Sequence, residues 1–198
     1  MHSWVVKRIG EARKAQSGIT LIELLITILL ASILMAIAVP SYRYVTYSSR
    51  VSSEVNALLG DMQYARSEAV KEGQMVTVCP VTVPAPQTCA NSSSWQNGWI
   101  VFSDINSNQT VAAAANILHV QPAFTAQDTF ASNDAVTFVS FNREGFTTAF
   151  PAGVAAGGYV TFTLHTTPQK SQWTRCLQVF TTGLMGSETA GDPQGNCN

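Results

Sequence analysis

One carboxylate, Glu23, stands alone in residues 19–39, a run that is otherwise apolar or small and hydroxylated. Placing a charged side chain inside a bilayer costs about 3 kcal/mol, so an acid there marks a function and needs a partner. A Glu that merely snorkels out of an ordinary signal anchor is the plainer alternative. Upstream of the run come four cations, Lys7, Arg8, Arg13 and Lys14, and then Gly18.

Other groups with chemical potential carry less. Asp104-Ile105-Asn106-Ser107-Asn108 opens like a calcium loop, but that pattern needs Gly at its sixth place and Glu at its twelfth. Gln109 and Ala115 stand there, so the stretch reads as a polar turn. His119 and His165 lie in strand-like stretches without a motif that marks a nucleophile, and no catalytic residue is assigned. The four cysteines, Cys79, Cys89, Cys176 and Cys197, allow three pairings. Cys79 with Cys89 and Cys176 with Cys197 is favoured, since each pair closes a local Pro-, Ser- or Gly-rich loop; free buried thiols are the alternative. No C-x-x-C occurs and neither histidine is spaced as a ligand, so no metal or cofactor is expected.

The elements that position these groups follow from periodicity. Residues 19–39 form a helix of roughly 31 Å, the thickness of a bilayer core. Pro40 cannot donate to the carbonyl of Ala36 and is expected to kink the helix where it leaves the membrane. Beyond it Val51, Val55, Leu58, Met62, Ala65 and Ala69 make one apolar stripe, with Arg50, Glu54, Asp61, Arg66 and Glu68 elsewhere on the wheel. Lys71-Glu72-Gly73 is the stop signal. The whole helix, 19–71, would be about 80 Å long. The rest reads as strands at 74–79, 98–103, 117–120, 136–141, 159–165 and 175–180, with turns at 83–97, 104–115, 142–145 and 182–198. Helix first and strands after, without alternation, predicts an α+β fold whose helix packs on an antiparallel β-sheet head.

Charge sets topology and limits partners. The 198-residue chain has a formal net charge of −1. Cations before the apolar run keep the N-terminus cytoplasmic and send the remainder across the membrane, where oxidising conditions suit the cysteines.

The residues Gly18-Ile19-Thr20-Leu21-Ile22-Glu23-Leu24-Leu25 resemble the class III signal of type IV pilins and type II secretion pseudopilins. That resemblance implies cleavage after Gly18 by a prepilin peptidase and N-methylation of the new terminus at Ile19, where the family usually has Phe. A Sec-type signal would instead be cut after the apolar run. Cleavage would expose an amine one turn from Glu23, a cation that a neighbouring subunit's Glu23 can neutralise. Pro40 also sits as in the pilin pattern. Further on, Tyr64-Ala65-Arg66-Ser67-Glu68-Ala69-Val70, the stretch from Trp95 to Gly98 leading into Trp99-Ile100-Val101-Phe102, and Arg175-Cys176-Leu177 followed by Thr182-Gly183 resemble the GspH/FimT group of minor pilins and pseudopilins.

The resemblance implies a leader at 1–18, a membrane and filament-core helix at 19–39, its amphipathic continuation at 40–72, and a periplasmic β-rich head at 73–198. It implies a structural subunit, not an enzyme, that waits in the inner membrane and assembles with other pilin or pseudopilin subunits. Type IV pilus and secretion pseudopilus remain equally open. The rival reading is a FimT-like DNA receptor for natural transformation. Its basic G-R-x-R motif would fall on Gly183-Leu184-Met185-Gly186, where both arginines are missing and no cation follows Arg175. Cleavage would also leave seven basic and eleven acidic residues, a net charge near −4. Both observations argue against nucleic acid as a partner.

Overall fold

A computed structural model describes residues 18–82, 85–133, 135–149, 158–191 and 197. The basic leader residues Lys7, Arg8, Arg13 and Lys14 lie outside the described residues. The chain divides into two compact units, one ending at Arg43 and one comprising Tyr44–Asn198.

A single helix, α1 (Leu21–Glu72), starts the fold and runs uninterrupted through Pro40. Within the first unit every described residue is exposed. Thr20 caps the helix: its hydroxyl accepts the Glu23 amide at 3.3 Å and its carbonyl the Leu24 amide at 3.2 Å. Thr27 and Ser32 donate their hydroxyls back to the carbonyls of Leu24 and Leu29 at 2.8 and 2.7 Å. That pairs each hydroxyl within residues 19–39. At the far end Gly73 takes a positive φ of 70° and donates its amide to the Ala69 carbonyl, closing the helix where the Lys71-Glu72-Gly73 signal places the stop.

The second unit is the head. Its strands are β1 (Val76–Thr82), β2 (Ala85–Cys89), β3 (Trp99–Ser103), β4 (Ile117–Gln121), β5 (Thr129–Ser132), β6 (Val139–Phe141), β7 (Thr147–Ala149), β8 (Tyr159–His165), β9 (Arg175–Phe180) and β10 (Met185–Thr189). They form two sheets, ordered β4-β3-β1-β6-β7 with β2 on β1, and β10-β9-β8-β5; every pairing is antiparallel. The buried residues of α1 are Val51, Val55, Leu58, Met62, Ala65 and Ala69, the whole stripe and nothing else. They join one core with Val76, Val78, Trp95, Trp99, Phe130, Phe162 and Leu177. Ridge-forming side chains four and three apart give the helix one narrow buried face, and the two sheets cover it.

Four strands differ from the expectation. β2, β5, β7 and β10 lie in stretches read as turns or left unassigned. They are short, and apart from Phe130, which joins the core, the side chains described on β5 and β10 are polar or only partly buried, as edge strands are. β6 begins at Val139, three residues later than expected, because the Val136 carbonyl instead accepts the Trp95 indole N–H at 3.1 Å. β1 runs past Cys79 through Pro80, which stands opposite Trp99 of β3 and accepts the Ala90 amide, while β6 pairs only with Val76–Val78 and does not meet the proline.

Candidate functional site

The candidate processing and assembly residues, Ile19 and Glu23, lie at the start of α1. Ile19 is exposed immediately before the capped turn, and Thr20 followed three residues later by Glu23 is a capping-box spacing. The Thr20 hydroxyl bond holds the Glu23 backbone in the first turn, where a carboxylate also meets the positive end of the helix dipole. From Leu21 to Val39 the helix presents exposed Leu, Ile, Met and Val around its whole circumference. Such a surface is stable only when lipid or other helices cover it.

On the head side, the residues bordering the buried stripe are anchored rather than solvated. Arg50 grips Asp128 with two bonds, Nε to Oδ2 at 2.8 Å and Nη2 to Oδ1 at 2.9 Å, and Asp128 also accepts the Thr167 amide at 3.1 Å. Glu54 lies beside this pair. Desolvation, then the negative charge of Asp128, pushes its carboxyl up to about 7 against the opposing pull of Arg50. Its Oε2 is buried without a partner among the described residues. Asp61 accepts the Trp99 indole N–H at 2.7 Å and lies 3.6 Å from His119. Glu72 accepts the hydroxyl of Ser103 at 3.0 Å.

Arg66 has the most exacting role. Its Nε donates to the Gly145 carbonyl at 2.9 Å, and the turn at Gly183 packs on both. Gly183 has a φ of +77°, and a methyl group there would collide with the Gly145 carbonyl and press on the guanidinium. The Tyr64–Val70 motif and the Thr182-Gly183 motif, far apart in sequence, therefore meet through Arg66. Periodicity places Arg50, Asp61 and Arg66 only off the apolar stripe. The signal that locates them is adjacency: each sits one residue from the stripe, at its border.

The remaining candidates resolve chemically. Asp104 is 1% exposed, and its carboxylate accepts the Thr77 hydroxyl at 3.1 Å and the amides of Asn108 and Gln109 at 3.1 and 2.9 Å. N–H and O–H groups aimed at those oxygens occupy the positions a cation would need, so the loop is a turn organised by its aspartate. Ser107 and Gln109 adopt the left-handed conformations that the turn requires. His165 is held by Thr174 at 3.3 Å and Gln169 at 3.2 Å, and burial lowers its pKa. Cys79 is bonded to Cys89, and Cys176 to Cys197. Among the described residues no group of three or more His, Cys, Asp or Glu is disposed to hold a metal ion.

Arg143 lies well apart from Lys170. Arg143 pairs with Glu144 at 3.2 Å in the turn that packs on Arg66. Lys170 precedes Trp173, which stacks on Tyr47, nineteen residues earlier on α1 and so about 28 Å away along the helix. Leu184 is 62% exposed at the position where a phosphate-binding arginine would be needed.

A helix that buries one stripe against two antiparallel sheets, and leads with a capped, fully exposed apolar segment, defines a pilin-like subunit. The fold is similar to that of the Pseudomonas aeruginosa type IV minor pilin FimU in two crystal forms. In one the TM-score is 0.54 at 20% identity, covering 78% of this chain and 98% of that one. In the other it is 0.51 at 22% identity, covering 74% and 98%. The family model described as type II transport protein GspH matches residues 54–183, and the prokaryotic N-terminal methylation motif matches residues 13–39. The chain belongs to the GspH family of minor pilins and pseudopilins, structural subunits of type IV pili or type II secretion systems. A search of curated proteins returns no match.

Proposed function

We propose that the chain is cleaved after Gly18 by a prepilin peptidase, N-methylated at Ile19, and held in the inner membrane by residues 19–39 with its head in the periplasm. From there it enters a filament with other pilin or pseudopilin subunits. Residues 1–18 are then the leader, 40–72 the helix that carries the stripe, and 73–198 the rest of the head. The observation that carries this reading is the first turn of α1, where Thr20 fixes Glu23 four residues from the amine that cleavage would create.

Glu23 of one subunit pairs with the Ile19 amine of its neighbour in this account. Cation and carboxylate lose their water together as the apolar helices close around them, so the pair is strong only when both are correctly placed. It thereby sets axial register. Pro40 lets the helix adjust where it leaves the bilayer.

The test is Glu23→Ala. The variant is expected to be processed and to stay in the membrane fraction, but to be lost from sheared filaments or co-purified pilin complexes. Incorporation equal to wild type overturns the pairing role.

A further inference from the structure

The turn organised by Asp104 has no role in the packing described so far. It lines one part of a cavity of about 390 Å³, the end of β2 lines another, and Thr137 and Phe138 complete it. Val111 and Phe138 pack on a smaller core of Cys79, Val81, Ile100 and Phe102, which alternate along β1 and β3 with residues of the helix core. The cavity therefore lies on the side of the sheet away from that core, wholly within the second unit. Its walls are fixed. Asp104 binds the amides of Asn108 and Gln109, and Gln109 takes a left-handed φ of 58°. The Cys79–Cys89 bond, with the Ala90 amide on the Pro80 carbonyl at 2.7 Å, ties the end of β2 to β1. Groups held in this way lose little freedom when a ligand binds.

None of the residues lining the cavity carries an ionisable side chain, since Cys89 is in a disulfide. A phosphate or a carboxylate would find no opposite charge there. The lining instead offers amides and hydroxyls, those of Thr88, Asn91, Asn108, Gln109, Thr110 and Thr137, and each of these groups can both donate and accept. Much of that capacity is unspent. The side chains of Thr88, Asn91 and Thr137 make no hydrogen bond among the described residues. Asn108 uses only Oδ1, which accepts the Thr110 amide at 3.1 Å and hydroxyl at 2.6 Å, so its Nδ2 is left over. Gln109 uses only Nε2, on the Ser107 carbonyl at 3.2 Å, and keeps Oε1. The larger apolar side chains of the lining are Val111 and Phe138, both half-buried.

The ligand that matches such a lining is uncharged, carries hydroxyls that donate and accept in turn, and has a face of C–H groups for the apolar part of the wall. We propose that the cavity binds a neutral sugar residue of a glycan. Its hydroxyls meet the unspent groups of Thr88, Asn91 and Thr137, with Asn108 Nδ2 and Gln109 Oε1, and its C–H face packs on Phe138 and Val111. A peptide fits less well, because peptide recognition rests on strand addition or on apolar pockets for anchoring side chains, and two half-buried apolar residues make no such pocket. The Asp104 turn then has a use, which is to present Asn108, Gln109 and Thr110 to the ligand. This site is separate from cleavage, anchoring and filament entry, and it stands or falls independently of them.

The experiment uses the full chain in a polyoxyethylene detergent, which has no sugar headgroup to compete. Titration calorimetry and saturation-transfer NMR are run with two uncharged probes, maltotriose and triacetylchitotriose. The second adds acetamido groups, so the pair separates a plain glucan from an amino-sugar polymer as the source of the ligand. Saturable binding of at least one probe is expected, with a Kd of about 1 mM or below and little change between low and high salt. Asn91→Ala and Thr137→Val remove unspent groups without breaking a bond within the chain, so each is expected to keep the fold by circular dichroism and to weaken binding about fivefold. Asn56→Ala, on α1 and outside the cavity, is expected to leave the affinity unchanged. Binding of neither probe overturns the site. So does binding that both cavity variants leave unchanged, that Asn56→Ala weakens as much as they do, or that is lost at high salt.

Discussion

Glu54 is the head residue whose energetics depend most on pH. Its folded pKa, about 7, lies above the ordinary 4.5, so between those values the folded protein binds protons that the unfolded chain has already released. Stability is therefore highest near pH 4.5 with respect to this group, falls as pH rises towards 7, and levels off above. Glu54→Gln removes the ionisation and retains the shape. The variant is expected to exceed wild type by about 1 kcal/mol at pH 8, after discounting for solvent screening, and to lose that advantage near pH 4.5. Urea unfolding at the two pH values checks it; a difference that does not change with pH contradicts it. Periodicity puts Glu54 only off the apolar stripe, because nothing local says that Asp128, 74 positions on, will stand beside it. What was legible was Asp104: its own loop residues supply the donors, and Asp with two Asn at alternate positions already describes a turn.

At the scale of elements, legibility follows from how much of each element's burial is written in its own period. The stripe on α1 was readable because its six members all face one core, and β8 and β9 were readable because Val, Phe and Leu fill them. β10, Met-Gly-Ser-Glu-Thr, takes its strand geometry from its partner, with Ser187 opposite Leu177 and Glu188 opposite Cys176. Pairing of that kind is long-range and leaves no local pattern. The junction of the two sheets with α1 makes a prediction of its own. Gly183→Ala is expected to destabilise the head by about 3 kcal/mol, part of it the left-handed conformation and the larger part displacement of the Arg66–Gly145 contact. Gly191→Ala is the control, because it has a φ of +92° with nothing within 4 Å of an added methyl among the described residues, and so reports conformation, at about 1 kcal/mol. Equal losses for the two variants in denaturant unfolding contradict the role given to the junction.

For the whole molecule, the two compact units obey different solvents. The head folds as a water-soluble protein does, with a closed apolar core, polar ties around its border and two cystines. The first unit leaves its apolar residues uncovered, and only surroundings outside the chain complete it. The run at residues 19–39, apolar but for Glu23 and a few hydroxyls, differs in composition from a head rich in Thr, Ser and Asn. Which surroundings apply at a given moment is not written in the fold. A capped first turn suits lipid and a bundle of like helices equally, and the amine proposed to select between them would be made by cleavage after Gly18. The most direct measurement is therefore mass spectrometry of the N-terminus of the protein recovered from cells. The account predicts an N-methylated Ile19 as the first residue. An intact Met1, or a first residue beyond Val39, contradicts it.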